Sequence, residues 1–332
     1  MTCLRMRASL IALPLLWLLL AGCSGNTSRG GVARTPWGDP DLEGTWNNAT
    51  LTPLQRPPAL ASKEFFTSDE AAAYIKDRLE QSNVDRRPQA SGAAPNVGTY
   101  NDLFFEREPK VVKSLRTSLV IDPKDGRIPQ LVPEAQARLD AARQRLALHP
   151  ADGPEDRSLL ERCLLFSAGG PAMLPEGYNS NYQIVQTPRY VVVLIEMIHD
   201  VRIIPLDGRA HLPANASTWL GGSRGHWEND TLVVETTNLR STSRGRSGIG
   251  MSDEHLRVVE RFTRSDATTI AYRATVEDPT VYTTPWTIEI SLDRAKGPIL
   301  EYACHEGNYG LAGILSGARA EENEAGTRGK VR

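Results

Sequence analysis

Two short stretches carry the densest chemistry in the chain. The first is His199-Asp200-Val201-Arg202. Imidazole is the side chain most easily poised for proton transfer near neutral pH, so His199 is a candidate acid–base group. Asp200 could orient that ring or pair with Arg202, because the two share a face if a strand begins there. The alternative is a polar hairpin turn with a surface ion pair. The second stretch, Cys304-His305-Glu306-Gly307-Asn308-Tyr309, puts five functional side chains in six residues after an apolar run. His305 suits a general base, Glu306 its partner or an acid, and Tyr309 a donor to a developing oxyanion. Gly307 allows a backbone angle that turns them toward a pocket. The alternative is a disulfide at Cys304, with Glu306 and Asn308 capping a turn.

A third group, Glu155, Asp156, Arg157, Glu161 and Arg162, alternates in sign within a short segment. Such a pattern usually marks a solvated, locally paired face, although an arginine pair that includes Arg157 could clamp a carboxylate. Trp219, Trp227 and Trp286 could line a pocket for an apolar or aromatic ligand, with Asn308 and Arg157 as polar contacts. Single tryptophans in strands also serve as core. No H-E-x-x-H, H-x-H or C-x-x-C occurs, so no metal site is expected unless His199, His226 and His305 with Glu306 converge in space. No glycine-rich phosphate loop opens a βαβ unit, and no cofactor is expected. Gly222-Ser223-Arg224-Gly225 lacks the glycine that would make it a nucleophile elbow.

The elements that must position these groups are mostly strands. The stretch from Tyr190 to Thr237 is central: apolar, β-branched runs separated by tight polar turns. Strands are expected at 182–186, 190–197, 201–206, 219–227, 231–237, 256–263, 269–276, 286–292 and 300–304, with an earlier one at 115–121. Helices are expected within 62–83, where Thr67 or Ser68 caps and Glu70 completes a capping box, and over 133–148. A further short helix fits 159–163. Trp37 and Trp46 read as core plugs. The serine- and glycine-rich loop 238–252 is long for a hairpin and has the character of a lid. The fold class is therefore mainly β with two or three helices in the N-terminal half, an antiparallel barrel or sandwich of lipocalin-like topology.

The chain has 332 residues, 40% hydrophobic and 23% charged, with a net charge of -2. That balance is ordinary for a globular protein and points to no nucleic-acid partner. Arg5 and Arg7, the apolar run 10–20 and small residues before Cys23 form an export signal over 1–22. Leu20-Ala21-Gly22-Cys23 resembles the bacterial lipobox. By that resemblance Cys23 is lipidated and anchors the chain to a membrane, and Ser24 fits sorting to the outer membrane. A plain signal peptide cut nearby is the alternative. Residues 23–35 then form a flexible tether, 36–319 a single mostly β domain and 320–332 a disordered tail. Cys163 and Cys304 remain in an oxidising compartment, where a disulfide, two buried thiols or a catalytic thiol are the readings.

Several motifs occur together: Pro36-Trp37-Gly38-Asp39-Pro40-Asp41-Leu42, Gly44-Thr45-Trp46, Pro154-Glu155-Asp156-Arg157-Ser158 and Arg162-Cys163. Glu196-Met197-Ile198-His199-Asp200 with Arg202, Ile204-Pro205-Leu206-Asp207-Gly208-Arg209 and Cys304-His305-Glu306-Gly307-Asn308-Tyr309 complete the set. In these the chain resembles a large group of secreted bacterial proteins. The resemblance spans nearly the whole mature chain and implies one domain, with no activity to carry over. Two function classes follow: a cofactor-free acid–base enzyme (hydrolase, lyase or isomerase) with a barrel pocket for a small, partly apolar molecule, or a non-catalytic lipoprotein that binds such a ligand or helps assemble the envelope.

Overall fold

Strict alternation of apolar and polar side chains builds the molecule. A computed structural model describes residues 33–82, 110–166, 169–213, 215–240, 242–246, 250–252 and 255–330. The strands are β1 (Gly44–Asn47), β2 (Val120–Asp122), β3 (Asn181–Gln186), β4 (Tyr190–Ile195), β5 (Val201–Pro205), β6 (Gly222–Glu228), β7 (Thr231–Thr237), β8 (Thr242–Arg246), β9 (Gly250–Ser252), β10 (Arg257–Asp266), β11 (Thr269–Glu277) and β12 (Trp286–Arg294). The helices are α1 (Ser68–Ser82), α2 (Pro133–Leu148) and α3 (Tyr309–Lys330).

Nine antiparallel strands run in the order β5-β4-β3-β1-β12-β11-β10-β7-β6 and curl into a nearly closed barrel, with β2 added on β12. Inward positions recur every second residue, as the pleat requires. Examples are Val191, Val193 and Ile195 on β4, and Trp286, Ile288, Ile290 and Leu292 on β12, all buried. Trp46 fills the core as expected, whereas Trp37 is partly exposed and donates its Nε1–H to Asp39. The outward faces of β7, β10, β11 and β12 carry paired charges instead, such as Arg257 with Glu235 and Glu277, and Arg273 with Glu289.

The two end strands, β5 and β6, lie side by side, yet no backbone ladder joins them among the described residues. Side chains close this seam. The bare backbone of Gly225 lets Ile204 and Leu206 pack onto β6; a Cβ there would stand 2.8 Å from each. Arg202 reaches across from β5 to Ser223 on β6, with Nη2 3.4 Å from Oγ.

Several expectations need correction. The run 300–304 is not a strand, and of 115–121 only Val120 and Ile121 lie in a strand, with Arg116 in an isolated bridge to Phe65. The segment 159–163 is a set of turns in which Cys163 takes a positive φ of 54°. The tail read as disordered from residue 320 is helical to Lys330, because its alanines, glutamates and arginines are good helix formers. Within 62–83 the helix runs over Ser68–Ser82, and Thr67 and Glu70 exchange the expected capping bonds. The loop 238–252 holds the small β8–β9 hairpin; residues 241 and 247–249 lie outside the described residues.

The seam makes a prediction. Gly225→Val should lower stability by about 1–3 kcal/mol through overpacking against Ile204 and Leu206. Urea unfolding checks it; an unchanged midpoint would show that the seam is loose.

Candidate functional site

The inward face of the barrel is not wholly apolar. Arg202 and Glu260 are both buried, and their side chains meet in a two-pronged ion pair, with Nη1 2.9 Å from Oε1 and Nη2 on Oε2. The same Glu260 Oε1 accepts the Tyr272 hydroxyl at 2.8 Å. Thr236 Oγ1 lies 3.4 Å from Arg202 Nη2 and 2.9 Å from Ser223 Oγ. Burial and the neighbouring Glu260 charge hold the Tyr272 hydroxyl well above its ordinary pKa, so it stays a donor.

This polar group lies under one mouth of the barrel, and a loop fills that mouth. From Gly169 to Leu174 the chain is buried, with Ala172 and Met173 wholly enclosed. Barrel side chains hold the loop by its backbone. The Met173 N–H donates to the Tyr272 hydroxyl oxygen at 2.9 Å, and the Met173 carbonyl accepts Asn48 Nδ2 at 3.0 Å. Asn48 Nδ2 also lies 3.2 Å from the Tyr182 hydroxyl. Six buried side-chain polar atoms have no hydrogen-bond partner among the described residues, and Asn48 Oδ1, Arg202 Nε and Trp286 Nε1 are three of them.

Both ends of the loop are fastened. Cys163 and Cys304 form a disulfide with Cα atoms 5.8 Å apart. At the far end Asn179 and Asn181 donate to the two oxygens of buried Glu196, at 2.5 and 2.8 Å. The His199 segment sits on the same mouth. His199 Nδ1 is 2.9 Å from the carbonyl of Tyr302, three residues before His305. Asp200 is half-buried beside Gly169, and its Oδ2 has no partner among the described residues. Burial raises Asp200 from 3.8 to about 6 and Glu176, in the loop, from 4.5 to about 7.

Other expected groups fall elsewhere. Arg202 does not pair with Asp200; it points into the barrel and binds Glu260, so neither a surface pair nor an Asp200 contact describes it. His305 and Glu306 are exposed, and Tyr309 is 83% exposed at the start of α3. Asn308 caps α3 through Oδ1 and donates Nδ2 to the Glu161 carbonyl at 2.8 Å. Arg157 is paired locally, with Nη2 2.5 Å from Glu161 Oε1 and Nη1 2.9 Å from the Pro150 carbonyl. Trp219 is half-buried under Arg240, 4.9 Å from ring centre to guanidinium, while Trp227 packs against the core. His226 turns to Glu228 at 3.1 Å. No group of three His, Cys, Asp or Glu able to hold a metal occurs among the described residues.

Sequence reasoning missed Glu260, Tyr272 and Asn48. The signal for Glu260 was present: it occupies an inward position between Val258 and Phe262 in an otherwise apolar alternation. A charge there must find a buried partner.

Two predictions follow from this geometry. Glu260→Gln alone should cost about 3–5 kcal/mol by stranding the Arg202 charge, whereas Arg202→Met with Glu260→Leu should recover most of that loss. Chemical denaturation of the three chains checks it, and equal losses in single and double variants would refute it. The second concerns pH. In the folded chain Asp200 and Glu176 keep protons that the unfolded chain has already released. Below about pH 4 both states are protonated and the groups contribute nothing; as pH rises through about 7, folded stability falls. Thermal midpoints of Asp200→Asn/Glu176→Gln should therefore converge with the parent's in acid and exceed them near about pH 8. Parallel curves would contradict the assignment.

No protein-family model matches this chain, and neither a curated protein nor a solved structure does.

Proposed function

We propose that this chain is an exported, lipid-tethered barrel that holds a small, partly apolar molecule in its mouth without chemistry upon it, on the envelope side of the outer membrane. The observation that carries the reading is the pair of bonds between barrel side chains and the Met173 backbone. A loop held by one amide occupies a place that a ligand of matching pattern can take. That ligand presents a hydrogen-bond donor to the Tyr272 hydroxyl and an acceptor to Asn48 Nδ2, as an amide or lactam does. The apolar remainder lies against Ile184, Phe262 and Trp286, which line the same core. Asn48 Oδ1 and Trp286 Nε1 are further buried groups to satisfy.

Acid–base catalysis has less support. His199, whose Nδ1 meets the Tyr302 carbonyl, is exposed, and His305, Glu306 and Tyr309 face solvent too. A general base needs a pocket that holds the proton it takes.

Native mass spectrometry of the full chain, with Asn48→Leu/Tyr272→Phe beside it, tests the proposal. The parent should carry a non-covalent mass excess that the variant loses. Hydrogen exchange should show the Met173 amide opening before the barrel strands do. A parent at its bare mass, with Met173 protected as strongly as the strands, would sink the reading.

A further inference from the structure

The outside of the barrel has two unlike sides. Across β6, β7, β10, β11 and β12 the outward side chains pair as charges and threonines, such as Glu228 on β6 with Arg261 on β10, and Thr275 with Thr287. Across β4 and β5 they are largely apolar, and β3 adds Val185 beside the polar Gln183 and Asn181. The register sets Val185 opposite Val192 and Val192 opposite Ile203, and Leu194 opposite Val201. Val185, Val201 and Ile203 are 44%, 45% and 61% exposed, with Val192 and Leu194 half-buried between them. The strip lies at the end of the sheet, where β5 carries no further laddered neighbour among the described residues. A continuous apolar face on an edge strand is a liability unless something covers it.

We propose that a lipid bilayer surface covers it. The inference rests on the lipid-tether reading above, and two observations point to lipid. The first is where the tether meets the fold. Gln186, next to Val185, accepts the Leu42 N–H at 2.5 Å and donates to the Pro40 carbonyl at 3.1 Å, so the incoming chain is pinned at one end of the strip. Nine residues lie between Cys23 and Ala33, the first described residue, so the reach between the two is roughly 35 Å at most. A domain held that close always has some face near the bilayer, and the apolar one gains most from it. The second observation is the rim. At the tether end the Arg189 and Arg209 guanidinium carbons lie 6.0 and 5.8 Å from the Tyr190 ring centre, Arg209 being paired with Asp207 as well. An aromatic ring flanked by arginines beside an aliphatic strip suits the boundary between acyl chains and anionic headgroups.

Tether and face then act as two joint signals, which stable anchoring requires of a weakly embedded chain. The barrel lies on its side, with the β10–β11–β12 charges toward water.

Nitroxide labels on the full chain test this, one at Ile203→Cys and one at Arg273→Cys, in vesicles of phosphatidylethanolamine and phosphatidylglycerol. Accessibility to oxygen and to a water-soluble nickel chelate reads the depth of each label. The expected result is a several-fold fall in nickel access at 203 on adding vesicles, and no change at 273. Val201→Lys beside the 203 label should restore nickel access. Water-like access at 203 in vesicles would overturn the proposal. So would spin–spin broadening at 203, which would show a second copy on the face. Shielding at 203 without vesicles would point to another polypeptide and overturn it as well. Intact mass reports separately whether Cys23 carries acyl chains; their absence ends the tether reading, while the label at 203 still decides the face.

Discussion

The Arg202–Glu260 pair is the constraint on which the rest of the barrel depends. Arg202 sits on one end strand of the sheet and Glu260 two places in from the other, so their union spans the gap where no backbone ladder forms. Removing two charges from water costs several kcal/mol per ion, and only close geometry with extra hydrogen bonds offsets it. Tyr272, Ser223 and Thr236 supply those bonds, each from a different strand. Closure is thus achieved by a polar knot inside the barrel and by Ile204 on Gly225, where a ladder would otherwise serve. An apolar filling of the same volume would hold the strands at least as strongly. What the ion pair adds is register: it meets only when β5 and β10 stand in one alignment.

That arrangement also accounts for the division of labour around the wall. Strands β7, β10, β11 and β12 pair on both sides and turn charges outward, as a water-facing wall does. Strands β4 and β5 turn valine, leucine and isoleucine outward, and the inward side of β4 is apolar as well. Burial on both faces is the habit of a strand covered twice. The run Val191-Val192-Val193-Leu194-Ile195 is therefore continuous where an ordinary half-exposed strand alternates, and its composition asks for a second covering.

Much of the fold was legible because period-two alternation is a strong signal. β7 is predicted to the residue, and β3, β4, β5 and β11 to within two residues, since each is bounded by a turn of clear chemistry. α2 is equally plain, with Pro133 at its first position. Less was legible at the site. Arg202 looked like a neighbour for Asp200 because the two are adjacent but one along the chain, yet Asp200 lies before β5 begins and Arg202 within it. Met173 lies in a stretch of Gly, Pro and Asn that signals only a loop; nothing local says that such a loop turns inward. The 300–304 run has strand composition, but its end is tied by Cys304 to Cys163 and its Tyr302 carbonyl is taken by His199, so it never joins a sheet.

The loop in the mouth illustrates how a static plug and a movable one differ. A static plug is fixed by its side chains, each in a complementary hollow. Here the disulfide at one end and the Glu196 bonds to Asn179 and Asn181 at the other fix the loop's margins, while its centre is held by backbone bonds that any amide satisfies and by the Ala172, Met173 and Leu174 side chains packed in the core. Buried backbone groups must be paired, but the barrel's Tyr272 and Asn48 do not distinguish Met173 from another partner. Two raised carboxyls, Asp200 and Glu176, stand on the same mouth, so ionisation opposes the closed form near neutral pH. Firm margins, a centre of low selectivity and a charge penalty for closure are the ingredients of local opening without loss of the barrel.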